Sequence, residues 1–99
     1  MNPAKVDRNK LEKLTDLPNI GPASVADLRL LGINKPGELA GQSPVELYYM
    51  LSQIKGKRQD PCVLDVFISV TRFVDGEEPR PWWHYTAERK RMFGVHQEP

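Results

Sequence analysis

The spacing of apolar positions cuts the chain into short segments, each with a recognisable start. Leu11 and Leu14, three residues apart in "NKLEKLTD", predict a short amphipathic helix over 9–16. "LPNIG" interrupts that pattern. Pro22 suits the first position of a second helix, because an N–H there would have no helical partner. Val25, Leu28 and Leu31 follow on one face, and Gly32 is placed as a left-handed cap before Ile33. "NKPGELA" is one helical turn at most. "SPVEL" opens another helix, with Ser43 as N-cap, Pro44 as first residue and Glu46 closing a capping box. Its expected inward stripe is Leu47, Met50, Leu51 and Ile54.

"DP" at 60–61 starts the most apolar segment, about 61–74. Its polar residues Asp65, Ser69 and Arg72 fall at i, i+4 and i+7, which reads as one narrow solvated stripe. Cys62, Val63, Val66, Phe67, Val70 and Phe73 then face inward. Val and Ile content would also suit a strand, and the seven-residue polar repeat decides for a helix. "DGEEPRP" is an exposed loop. "WWHYT" and "AERKRMF" follow, the latter a short basic helix with Thr86 as N-cap, and "GVHQEP" is expected to fray. The class is all-α, with five or six short helices in a single domain over 1–99 and a core over about 9–91.

Ninety-nine residues bury one modest core. The net charge of +1 is not that of a strong non-specific nucleic-acid binder. The charge is uneven, however. Basic residues prevail at both ends, acidic ones over 15–54, and Lys55, Lys57 and Arg58 cluster. Any basic face must therefore be assembled in space from separate segments. A single cysteine, Cys62, excludes an internal disulfide. "MNPAKVDRNK" has no apolar signal-peptide core, and no run reaches the roughly 18 apolar residues of a membrane span. The expected compartment is the cytoplasm, with no membrane partner.

Catalysis finds little support. His84 and His96 show no spacing to a carboxylate or thiol that suggests a metal site or a triad. Cys62, near a helix start, is either an activated thiol or a small core residue, and burial habits favour the core. No enzyme activity, metal or cofactor is expected. Of the aromatic pairs Trp82–Trp83 and Tyr48–Tyr49, one ring each is expected outside, free to stack on a base or simply to pack.

The turn at 19–24 carries the sharper chemistry. The N–H groups of Gly21, Ala23 and Ser24 gather at the positive end of a helix, a concave set of donors that suits a phosphate. Gly21 lets a backbone approach closely, and Asn19 tolerates a left-handed conformation. Ile20 either tucks into the hairpin or sits at its tip. The alternative is that Gly21 and Pro22 merely turn the chain.

"LPNIGPASVADLRLLGI" resembles the helix-hairpin-helix motif of DNA-binding and repair proteins through Leu17, Pro18, Asn19, Ile20, Gly21, Leu28, Gly32 and Ile33. "KPGELAGQSPVELYYML", "KGKRQDPCVLDVF" and "PRPWWHYTAERK" are similar to a small bacterial family of stand-alone helix-hairpin-helix proteins, labelled pathogenicity-locus or mitomycin-resistance proteins. The resemblance covers about 9–91 and implies a SAM-like helical bundle that contacts DNA backbone. Asn19 stands where the motif has its first turn glycine, and Ala23 where a basic residue often follows. "IKGKRQDP" is either a second, degenerate hairpin, with Pro61 the equivalent of Pro22, or a solvated basic loop.

The expected function is non-catalytic, sequence-independent binding of duplex or single-stranded DNA, with a role in repair or damage resistance. The expected contacts are Asn19, Ile20, Gly21, Ala23 and Ser24, helped by Lys10, Lys13, Lys55, Lys57 and Arg58. The rival is a protein-interaction module that keeps the fold without DNA binding.

Overall fold

A computed structural model describes residues 5–93. Among them are four α-helices and no strand: α1 (Pro22–Leu30), α2 (Pro44–Lys55), α3 (Pro61–Val74) and α4 (Thr86–Phe93). Single 3-10 turns occupy Arg8–Lys10 and Leu14–Asp16 at either end of the expected 9–16 helix, the expected turn at Pro36–Leu39, and Trp82–Tyr85, where no helix was expected. The fold is all-helical, with fewer α-helices than the five or six expected.

Proline opens α1, α2 and α3 as expected. Ser43 Oγ accepts the Glu46 N–H at 3.2 Å, the serine half of the expected capping box. Gly32, at φ 81°, ends α1, with the Ile33 N–H closing on the Leu28 carbonyl at 2.9 Å.

The helix expected over 9–16 does not form. Its apolar pair is real, since Leu14 is buried and Leu11 packs on the core. Its backbone, however, is drawn into local caps. The Asp16 carboxylate accepts the N–H groups of Glu12 and Lys13 at 2.9 and 2.8 Å. These bonds hold Asp16 below the usual carboxylate range. Asp side chains compete with helical bonding in this way. Glu38 repeats the device on Asn34 and Lys35, at 2.6 and 2.8 Å.

The α3 helix is the centre of the domain. It packs against α2, the 36–39 turn, the 82–85 turn and α4. The expected solvated stripe is therefore wrong: Asp65 and Ser69 are buried and Arg72 is half-buried. The C-terminal segment covers Asp65 and Arg72 with complementary groups. Arg89 Nε donates to Asp65 Oδ1 and Thr86 Oγ1 to Asp65 Oδ2, both at 2.7 Å. Arg72 makes a two-pronged pair with Glu88 and lies over the Tyr85 ring. Thr86 is thus not an N-cap. It is already helical, and its hydroxyl points at α3. The buried hydroxyls of Ser69 and Thr71 donate to carbonyls of Val66 and Phe67 at 2.6 and 2.9 Å.

The inward face of α2 is rotated from the one expected. Leu47, Tyr48 and Leu51 are buried, while Met50 and Ile54 are about half exposed at 47% and 50%. Tyr48 takes the interior place because its hydroxyl finds the Gln59 carbonyl. At the other end of α3, Arg8 sits 4.1 Å over the Phe73 ring and donates to the Glu77 carbonyl at 2.6 Å. No helix among the described residues is long and apolar enough to cross a membrane. The expected fraying of 94–99 lies outside the described residues, as does His96.

Candidate nucleic-acid interface

The turn between the 14–16 and α1 elements is held from inside. Leu17, Pro18 and Ile20 are buried. Ile20 therefore tucks into the core and leaves only backbone at the surface. Asn19 adopts the left-handed conformation, φ 65°, as its residue type allows. Its amide donates to Ser69 Oγ at 3.0 Å and to the Arg80 carbonyl at 2.8 Å. The side chain of Asn19 is thus a tie from the turn to α3 and to the loop before Trp82.

Gly21, Pro22 and Ala23 are exposed and Ser24 is half-buried. Gly21 is the N-cap of α1 and has no side chain with which to cap it. The N–H groups of Ala23 and Ser24 lie in the first turn, where no helical carbonyl precedes them. Gly21 has φ −105° and ψ −173°, open to any residue, and a Cβ built there meets nothing within 4 Å. Neither its conformation nor its surroundings require glycine, which is one of several residues favoured at an N-cap.

Two aromatic rings flank the turn. Asn19, Ile20, Gly21, Trp82 and Trp83 line one cavity of about 250 Å³. A second, about 230 Å³, is lined by Ser24 and Asp27 of α1, Cys62 and Val63 of α3, and Trp82. The first turns of α1 and α3 therefore share one side of the molecule. Trp82 is half-buried between them, and Trp83 stands outside at 62% exposure, edge-on to it. One ring of each aromatic pair faces out, as expected, and Tyr49 is the other.

The α2–α3 connection is ordered rather than loose. Gly56, φ 70°, ends α2, and the Lys57 N–H reaches back to the Ser52 carbonyl at 3.1 Å. Gln59 is buried and donates from Nε2 to the Lys57 carbonyl at 3.0 Å. Lys57 and Arg58 project as exposed cations. The two proline-started helix ends are not equivalent, however. Asp60 Oδ1 accepts the Cys62 N–H at 2.8 Å, so a carboxylate already fills the start of α3. That bond holds Asp60 below the usual carboxylate range. Here an anion would have to be met by side chains, whereas at Gly21 it would meet bare backbone.

The other expected cations are dispersed. Lys55 is paired with Asp27 at 2.6 Å, which ties α2 to α1. Lys10 lines a cavity with Lys5, Asp7 and Asp16. Lys13 lines a different one with Arg29 and Lys35. The clustering of Lys13, Arg29 and Lys35 escaped the sequence, because Lys13 and Lys35 lie on either side of α1, which itself carries Arg29. Cys62 is half-buried; burial, then the Asp60 carboxylate, push its thiol up, which is the opposite of activation. No group of three His, Cys, Asp or Glu residues that could hold a metal ion occurs among the described residues.

Comparison with known proteins gives two matches. The Cdd1 family model, described as "Pathogenicity locus", matches residues 7–91. The chain is 43% identical over 79 residues to the mitomycin resistance protein McrB of Streptomyces lavendulae, covering 80% of this chain and 75% of that protein. No solved structure matches it.

Proposed function

This chain belongs to the Cdd1 pathogenicity-locus family, and on that premise we propose that it is a non-catalytic, sequence-independent DNA-backbone binder of the helix-hairpin-helix type. The observation that carries the reading is Gly21. It adopts an ordinary conformation with open space around it, at the exposed, uncapped start of a nine-residue helix. Glycine at this N-cap leaves the backbone bare, so a ligand can approach its N–H groups closely. The N–H groups of Gly21, Ala23 and Ser24 then take a phosphate, and Lys57 and Arg58 supply cations from the neighbouring connection. The 14–16 turn and α1 serve as the two arms of the hairpin.

Few cations take part, so the affinity is weak, roughly in the 10⁻⁴–10⁻⁶ M range of non-specific complexes. The relative's name attaches it to mitomycin resistance. We extend that to a damage-resistance role for this chain.

The test is a titration of labelled duplex and single-stranded DNA at low and moderate salt, with circular dichroism to verify the fold. Gly21→Ala and Gly21→Glu are expected to fold normally, and Gly21→Glu to abolish binding, because its carboxylate lies where the phosphate sits. No binding by the unaltered chain at low salt, or binding indifferent to Gly21→Glu, sinks the reading.

A second reading has one specific observation behind it. Met50 and Ile54, one turn apart on α2, are each about half exposed. They would serve a protein-interaction module in place of DNA binding. Sedimentation of the chain alone and with Ile54→Glu tests whether that face joins two copies.

A further inference from the structure

The largest described cavity, about 530 Å³, lies beside the α2–α3 connection and is lined by Tyr48, Tyr49, Ser52, Gln53, Gly56, Lys57 and Arg58. That volume is in the range of small-ligand sites. No carboxylate lines it, two cations rim it, and among the described residues neither cation is in an ion pair. An anionic ligand with an apolar planar part fits this chemistry.

The aromatic part of the site is held in place. The Tyr48 hydroxyl is bonded to the Gln59 carbonyl, which fixes its ring against the connection. Tyr49 meets that ring edge-on, with centroids 5.7 Å apart and planes at 73°. Such a contact takes at most one face of Tyr49, and the residue is 46% exposed. At least one ring face therefore remains for a ligand. Inside a closed duplex the base faces are covered by their stacked neighbours. Away from a duplex end, an unpaired base is the one that can lie on that ring face while its phosphate meets Lys57 or Arg58.

We propose that the Tyr49–Lys57–Arg58 cavity is a binding site for an unpaired nucleotide of DNA, with the base stacked on Tyr49 and the adjoining phosphate on the two cations. The proposal rests on the DNA-backbone reading and narrows it. The preferred form is single-stranded or frayed DNA, and the closed duplex is the poorer ligand.

The experiment measures fluorescence anisotropy of labelled oligothymidine and of a blunt duplex of equal length, using the full chain at low salt. The single strand is expected to bind more tightly. Tyr49→Ala is expected to weaken single-strand binding about 5- to 150-fold, the range a lost base stack gives. The same change leaves duplex binding as it was, and Tyr49→Phe, which keeps the ring, behaves as the unaltered chain. Lys57→Glu with Arg58→Glu weakens both ligands. The site is overturned if Tyr49→Ala leaves single-strand binding unchanged, if it weakens the duplex equally, or if Tyr49→Phe is as damaging as Tyr49→Ala. Those outcomes leave the Gly21 contact standing. Failure of the unaltered chain to bind either ligand removes both.

Discussion

Arg89 Nε meets Asp65 Oδ1 at 2.7 Å with both side chains almost wholly out of solvent. The Thr86 hydroxyl takes the other oxygen of the same carboxylate. Removing one partner of such a buried ion pair costs about 3–5 kcal/mol. Asp65→Ala is therefore expected to take away much of a stability that, for a domain of this kind, totals roughly 5–15 kcal/mol. Urea denaturation checks it. Asp65→Ala combined with Arg89→Met should lose less than the two single losses added, since the groups act as a pair.

Asn19 is required for its amide as well as its backbone. Asn19→Ala loses the bonds to Ser69 and Arg80 and places an ordinary residue at φ 65°. Two hydrogen bonds at about 1 kcal/mol each, with about 1 kcal/mol of left-handed strain, give roughly 2–3 kcal/mol. Asn19→Gly loses the same bonds without the strain and is expected to be the milder change. Equal melting temperatures for the two variants would contradict this account.

On the proposed DNA-backbone reading, the salt dependence of binding counts phosphate contacts. Removing Lys57 and Arg58 together is expected to reduce the slope of log K against log salt by about two. Removing Lys10 should leave that slope unchanged, because Lys10 lines a cavity shared with Asp7 and Asp16. A slope unaffected by the loss of Lys57 and Arg58 would place the phosphates elsewhere.

Acid and alkali act on different groups of the molecule. Backbone N–H groups depress Asp16, Glu38 and Asp60, and the Arg72 pair depresses Glu88. A depressed carboxylate contributes stability present above its unfolded value, about 4, and lost as pH falls through the lower folded value. Stability should thus fall below about pH 4, and Asp16→Asn should flatten part of that fall. Tyr85 is pushed up to about 12 by burial and by Glu77. A raised group contributes stability fully present below its unfolded value, near 10, and lost as pH rises through the folded one. Unfolding should therefore set in over about pH 10–12, followed by tyrosinate absorbance.

Cys62 is expected to react with iodoacetamide more slowly than a free cysteine at neutral pH. Burial and the Asp60 carboxylate both oppose its thiolate. Asp60→Asn should speed the reaction, and a rate equal to that of a free thiol would show the shielding to be absent.

The starts of α1, α2 and α3 and the cap at Gly32 were legible because proline, serine and glycine act locally. The first segment was not, because apolar spacing at Leu11 and Leu14 says nothing of an Asp16 carboxylate that takes the intervening backbone. The α3 stripe misled for a different reason. Asp65 and Arg72 look solvated until Thr86, Glu88 and Arg89 are laid on them, some twenty residues on, and Ser69 until Asn19 reaches it. A match of signs was available, since "TAER" offers a hydroxyl, an acid and a base where the stripe holds an acid, a hydroxyl and a base. At the candidate site, the donors at Gly21 could be read from spacing. The exposed ring of Trp83 beside them, and the occupation of the α3 start by Asp60, required three dimensions.

Because α4 seals α3, the order of synthesis matters. A nascent chain emerges from its N-terminus at about 5–20 residues per second. Until Arg89 is out of the ribosome, Asp65 has no countercharge and the most apolar helix lacks its cover. The domain therefore cannot finish folding piecemeal as it is made. Its completion waits on Thr86, Glu88 and Arg89, which follow the end of α3 at Val74.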